Sequence, residues 1–317
     1  MSATVIVPSW NGAARLRALL PSLGSSAQVI VVDNGSTDGT RDLLSTQFPD
    51  VDAILLPRNE GFSRAVNRAA KEAHGDVLVL VNDDCVCEPG FVERLAEAIE
   101  PGRSVVMAAG VLLEVSDPTV IDTAGMELDD TLLVFDYLNG QPLSALADAP
   151  APFGPSGAAA AFDRAAFLDV GGFDEQLFAY WEDVDLVLRL RSSGAVCAGA
   201  ATARALHAHS ATLGSGSSKK NYLTGFGRGY VLRKWGVLEG RRRFLVPPRE
   251  LAICMAQLAV DRTVTGFTGR AAGWRAAAEV ERREYPAGLV SGRRRTLAEL
   301  RRRRARRRRL RLGARPT

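Results

Sequence analysis

Val77-Leu78-Val79-Leu80-Val81-Asn82-Asp83-Asp84 decides how this chain is read. An unbroken apolar run rich in valine predicts a strand buried on both faces, as in a parallel sheet. Three polar residues follow at its carboxyl end. Carboxylates stand at the mouth of a buried strand when they are paired, hydrogen-bonded or holding a cation. Working outward, Thr4-Val5-Ile6-Val7-Pro8, Val29-Ile30-Val31-Val32-Asp33 and residues 53–56 read as three more strands. Helical spacing is read over residues 15–23, 40–47, 62–73 and 91–99. Strands separated by helices of this length imply βαβ units with right-handed crossovers. In such sheets ligands bind at the carboxyl ends of the strands, where Pro8, Asp33 and Asn82-Asp83-Asp84 all fall.

A second acidic cluster lies about a hundred residues on. Gly171-Gly172-Phe173-Asp174-Glu175 leads to Tyr180-Trp181-Glu182-Asp183-Val184-Asp185-Leu186, and a helix is read over residues 183–191, ended by Ser192-Ser193-Gly194. One cluster to hold a metal and another to act as base would serve group transfer from a phosphorylated donor. Between them, residues 105–155 loosen into short strands and Pro/Asp-rich connections, read as a variable acceptor-side insert. The small residues 158–161 precede a helix at 164–169; they suit either close approach of a ligand to the backbone or tight helix–sheet packing. After residue 240 the character changes. Pro247-Pro248 is read as a break, followed by an amphipathic helix over 249–260 and a helical stretch over 270–281. The expected organisation is a main domain over 1–240, a helical, membrane-associating extension over 241–290 and a disordered Arg-rich tail over 291–317.

At 317 residues, 46% of them hydrophobic, the chain can bury one large α/β core. Its net charge of +4 divides into +12 on the last 25 residues, thirteen Arg against one Glu, and −8 on the first 292. An acidic body with a basic tail points toward anionic lipid or a solvated extension; with no interleaved aromatic pattern or reader motif, nucleic acid is not the expected partner. Four cysteines without paired spacing give neither a disulfide framework nor a zinc site, and read as buried small residues. No leader is read before the first strand, and the longest apolar stretch, residues 251–260, stops at Asp261-Arg262. The expected location is cytoplasmic, peripheral at the inner face of the plasma membrane.

Taken in order, Val5-Ile6-Val7-Pro8-Ser9-Trp10-Asn11, Val31-Val32-Asp33-Asn34-Gly35-Ser36-Thr37-Asp38-Gly39, Asn59-Glu60-Gly61-Phe62-Ser63, Asn82-Asp83-Asp84, Gly171-Gly172-Phe173-Asp174-Glu175 and Glu182-Asp183-Val184-Asp185-Leu186 resemble the family 2 inverting glycosyltransferases, and among them the bacterial rhamnosyltransferase type. The likeness covers residues 3–235. It implies a GT-A, Rossmann-like nucleotide-sugar-binding fold with a mixed central sheet and a C-terminal helical extension, a nucleotide-diphospho-sugar donor and a divalent cation, Mg²⁺ or Mn²⁺. Carried onto this chain, Pro8 and Trp10 would line the nucleotide base, Asp33 would accept hydrogen bonds from base or ribose, and Asn59 would join the donor site. Asn82-Asp83-Asp84 stands where the family has its D-x-D signature. Asp84 would bind the metal, and Asn82 or Asp83 the ribose; Asp83 departs from the family's usual Asn-Pro-Asp. Asp183 would be the general base, with Glu182 positioning it or the acceptor; the alternative is that the pair caps a helix starting at Val184. His207, in Leu206-His207-Ala208-His209, resembles the late histidine that completes the metal shell and aligns better than His209. Arg228 is what remains of an Arg-Asn-Arg motif, with Lys219 and Lys220 as further candidates for the diphosphate.

The reaction so implied moves a sugar, rhamnose from dTDP-rhamnose as first choice, to a saccharide or polyprenyl-linked acceptor in cell-envelope polysaccharide assembly. Two other readings stay open. A sugar-phosphate nucleotidyltransferase would want a Gly-rich basic loop after the first strand, which Ser9-Trp10-Asn11-Gly12-Ala13-Ala14 does not supply. A non-catalytic adaptor would act through the basic tail alone.

Overall fold

The structure, a computed structural model, describes residues 1–24, 27–100, 102–208 and 216–290. His209 and the Arg-rich segment 291–317 lie outside the described residues. The apolar runs of the first ninety residues form β1 (Ala3–Ser9), β2 (Gln28–Asp33), β3 (Asp52–Leu55) and β4 (Val77–Val81), alternating with α1 (Ala13–Leu19), α2 (Thr40–Gln47) and α3 (Phe62–Glu72). The helix expected over 15–23 divides into α1 and a 3-10 turn, Leu20–Leu23, because Pro21 has no amide to continue it. There follow β5 (Cys85–Cys87), α4 (Phe91–Glu97), β6 (Val105–Glu114), β7 (Asp117–Thr123), β8 (Met126–Leu128), β9 (Val134–Asp136), β10 (Ala159–Asp163), α5 (Arg164–Asp169), α6 (Glu182–Ser192) and β11 (Val196–His207). Three helices close the described chain: α7 (Ser218–Lys234), α8 (Arg242–Asp261) and α9 (Thr265–Ala276).

The strands lie in the order β3-β2-β1-β4-β10-β6-β11-β5, with β7 on β6. The first four are mutually parallel. β10 runs antiparallel to both its neighbours, β6 and β11 are parallel, and β5 is antiparallel to β11, so the sheet is mixed. Alternation along β4 sends Leu78 and Leu80 to a core that holds Phe162, Phe167 and Phe173, and Val77, Val79 and Val81 to one that holds Leu16, Leu19 and Phe91. Helices therefore cover both faces, which is why β4 reads as an uninterrupted apolar run. Residues 105–155 divide: β6 is a central strand of the sheet, whereas β7 and the separate β8–β9 hairpin form the insert proper.

The C-terminal helices correct two expectations. Pro247 and Pro248 do not break the chain but lie inside α8. The carbonyls they leave without a helical donor belong to Arg243 and Phe244, both exposed, where water can serve them. The last helix spans Thr265–Ala276 rather than 270–281. It packs on α7 through glycines: a Cβ on Gly273 would stand 1.9 Å from the Phe226 carbonyl oxygen, and one on Gly269 2.2 Å from that of Tyr222. Among the described residues no helix is long and apolar enough to cross a membrane.

Candidate active site

The exit of β4 is fixed from two sides. Asn82, half-buried, donates its amide to the Ala158 carbonyl at 3.2 Å. Asp83 is buried and points back into the fold: Arg15 grips both its oxygens at 2.9 Å and Ser9 donates to Oδ2 at 2.6 Å. Expected at the ribose, Asp83 is thus a strut between β4, β1 and α1. Burial lifts its pKa more than Arg15 and Ser9 lower it.

Asp84 faces His207. Pairing of β11 with β5 sets His207 opposite Cys85, which brings Nε2 within 3.3 Å of Asp84 Oδ1. The other ring nitrogen, Nδ1, donates to Asp122 Oδ2 at 2.8 Å. A histidine oriented by a carboxylate on one nitrogen, with a second carboxylate facing the other, is the arrangement of a ligand with its outer partner. Burial pushes the imidazolium down, but hydrogen bonds to Asp122 and Asp84 prevail and raise it to about 9. The Cys85 sulfur lies within 4.8 Å of both groups, yet burial lifts its thiol well above the usual range, so oxygen and imidazole are the natural donors. This set fits a divalent cation of the Mn²⁺ or Mg²⁺ kind.

The second cluster is reached through a strained turn. Tyr180 and Trp181 take φ values of 70° and 76°, a left-handed conformation that costs a bulky residue about 1–3 kcal/mol. Trp181 is held there by the Arg228 guanidinium, 5.1 Å from its ring centre, and by Gly227, where a Cβ would lie 2.6 Å from the indole. α6 begins at Glu182 with Trp181 at its N-cap, so neither acidic residue occupies the capping position. Asp183 instead accepts from the Gly157 amide at 3.2 Å and from Val184 at 2.8 Å. Burial raises its pKa against those two bonds. Glu182 is 6% exposed, its Oε2 has no hydrogen-bond partner among the described residues, and burial with the Asp183 charge holds its carboxyl well above the usual range.

Gly157 and Ala158 join the two clusters, one touching Asp183 and the other Asn82. Tyr180 reports the same proximity: after burial, the charges of Glu182 and Asp84 push its phenol up to about 12.

The ends of β1 and β2 stand on the same edge of the sheet as the exit of β4. Pro8 and Trp10 are half-buried, and Lys219 at the start of α7 lies 5.2 Å from the Trp10 ring centre. Asn11 and Ser36 tie the two loops, Asn11 accepting from the Thr37 amide and Ser36 from that of Asn11, both at 2.8 Å. Asp33, fully buried, accepts from Arg41 at 2.7 Å and the Ser36 amide at 3.1 Å. Asn59 accepts from Gly61 within its own turn. Gly61 itself is required, since a Cβ there would meet the Phe178 carbonyl at 2.5 Å. Arg228 is a correction. Fully buried, it donates to Glu250, the Leu132 carbonyl and the Thr131 carbonyl at 2.8–2.9 Å, so no face of it is open to a diphosphate. Lys220 lies 5.5 Å from the Tyr180 ring centre, so Lys219 and Lys220 bring two cations beside Trp10 and Tyr180. Sequence reasoning did not find Asp122, Arg15 or Tyr180. Asp122 lies in the irregular insert, and Arg15 is one of many basic residues on helix surfaces, so neither carried a local signal.

The model of glycosyl transferase family 2 matches residues 4–170, more than half of the chain. The chain belongs to this family. This family 2 glycosyltransferase is 30% identical over 246 residues to the N-acetylglucosaminyl-diphospho-decaprenol L-rhamnosyltransferase of Mycobacterium tuberculosis, an alignment spanning 65% of this chain and 76% of that one. Two solved structures share its GT-A fold. GalNAc-T7, determined with UDP, GalNAc and Mn²⁺, superposes with a TM-score of 0.61 at 16% identity, over 89% of this glycosyltransferase and 55% of that chain. The mannosyltransferase PcManGT of Pyrobaculum calidifontis, determined with GDP-Man and Mn²⁺, gives 0.52 at 19% identity, over 90% and 77%.

Proposed function

We propose that this glycosyltransferase moves a sugar, with inversion at C1, from a nucleotide-diphospho-sugar to a saccharide or polyprenyl-linked acceptor in cell-envelope polysaccharide assembly, at the inner face of the plasma membrane. The observation that carries this reading is the contact of adjacent residues Gly157 and Ala158 with Asp183 and Asn82 respectively, which puts a base-competent carboxylate beside the exit of β4. dTDP-rhamnose is the donor we favour, on kinship with the mycobacterial rhamnosyltransferase, whose name also supports a polyprenyl-diphosphate acceptor.

Asp183 takes the proton of the acceptor hydroxyl as that oxygen bonds to C1; the bond from C1 to the diphosphate oxygen breaks, and its electron pair leaves with the nucleoside diphosphate. The Gly157 and Val184 amides fix the carboxylate, and burial keeps it basic enough to accept. Glu182, next to it in sequence at the start of α6, positions the base or the acceptor. Pro8 and Trp10 line the base, with Asp33, Asn59 and Asn82 around base and ribose, while Lys219 and Lys220 face the diphosphate. Asp84 and His207 would hold the divalent cation, with Asp122 fixing the imidazole. That cation, when bound, offsets charge on the leaving diphosphate.

The test is a thermal-shift screen of nucleotide sugars with Mn²⁺ or Mg²⁺, followed by transfer assays. Asp183→Asn should lower transfer by about 10²–10⁴-fold with donor binding retained, whereas Asp84→Ala should lose metal-dependent donor binding. Full turnover by Asp183→Asn would remove the proposed base.

A further inference from the structure

α8 is built inside out. Past its first turn, its polar side chains turn to the body: Arg249 donates to Thr131 at 2.8 Å, Glu250 accepts from Arg228 and Arg270 at 2.8 Å, and Asp261 accepts from Asn221 at 3.1 Å. Its outward face is apolar throughout. Phe244, Leu245, Leu251, Met255, Leu258 and Val260 are exposed, Phe244 at 67% and Met255 at 52%, and only prolines and alanines separate them. A surface helix of a free-standing globular protein shows the reverse arrangement, and an unbroken exposed apolar face marks a partner.

We propose that this face of α8 docks on an anionic lipid bilayer, lying in the plane of the interface. Charge selects this occupant. Exposed Arg241 and Arg243 stand at one end of the face and exposed Arg262 at the other, and the sequence over residues 293–317 adds thirteen arginines. Anionic headgroups pair with such cations while Phe, Met and Leu enter the acyl boundary. A second copy packed antiparallel about a two-fold axis would set Arg241 and Arg243 against Arg262, like charge on like. The helix is not long and apolar enough to cross the bilayer, so it lies along it. Its use, carrying the site to a polyprenyl-linked acceptor, rests on the function proposed above; the binding does not.

The test is co-sedimentation of the full chain with vesicles of phosphatidylglycerol and phosphatidylethanolamine, against vesicles of phosphatidylcholine. The wild type should partition about tenfold more into the anionic vesicles. Leu251→Glu/Met255→Glu, and separately Phe244→Glu, should each lose about tenfold in that partition at unchanged melting temperature, since all three side chains are exposed. Three results would overturn the proposal: a wild type that ignores anionic vesicles, variants that bind as the wild type does, or a solution dimer that the variants dissociate without any vesicle binding. Donor hydrolysis in solution, measured alongside, separates the two readings. Its absence in every protein would count against the transferase assignment and leave the vesicle result standing.

Discussion

At Asp183 two backbone amides oppose burial for control of one proton, and burial wins. As the proposed base it must be ionised to act, so transfer should rise with pH through the Asp183 pKa. A pH profile of kcat/KM should show an acid limb above the ordinary aspartate value of about 3.9; a limb at or below it would mean the carboxylate is not desolvated. Glu182 differs, because no hydrogen bond holds its Oε2. Its folded pKa exceeds the unfolded one, so its stability contribution is complete below the unfolded pKa and lost as pH rises through the folded one. Glu182→Gln removes the charge, and should raise the melting temperature at pH 8 with no gain near pH 4. Scanning calorimetry at the two pH values checks the sign. These two carboxylates were legible because they sit in a motif beside apolar residues of helical period. Asp122 was not, because what makes it matter is a 2.8 Å contact with a histidine 85 residues away.

Among the elements, α7 and α9 depend on glycine at contact points where backbone meets backbone. Gly273→Ala forces a Cβ onto the Phe226 carbonyl, and neither helix can yield without losing its neighbours. It should cost about 1–3 kcal/mol by thermal or denaturant unfolding. Gly288→Ala, with nothing within 4 Å of its Cβ, should be neutral and serves as the control. Element limits were readable where local signals agree: β4 and α2 begin and end where apolar run and turn residues place them. They failed where tertiary context decides. β10 opens with three alanines of little strand preference, and it exists because β4 and β6 pair with it on either side. The helix through Pro247 and Pro248 survives because Val246, Glu250 and Cys254 anchor its inner face.

For the molecule as a whole, the segment after residue 240 is bound to the catalytic body by buried charge. Glu250 of α8 pairs with fully buried Arg228 of α7 and with Arg270 of α9, Arg249 pairs with Asp129, and Tyr285 donates to the Asp130 carbonyl. Glu250→Ala would leave an unpaired cation in the interior, at a cost of about 3–5 kcal/mol, and Glu250→Gln less. Because α8, α9 and the body share that pair, unfolding of the Glu250→Ala variant should remain a single transition at lower temperature. A separate early transition for the C-terminal helices would show them to be independent. The reversed direction of β10 has a wider consequence. Had that strand run with its neighbours, residues 157 and 158 would have emerged at the far rim, about 16 Å away at 3.3 Å per residue. One inverted strand thus makes an entrance coincide with an exit, and a sheet with every strand aligned would have no such crossroads for two reactants to meet.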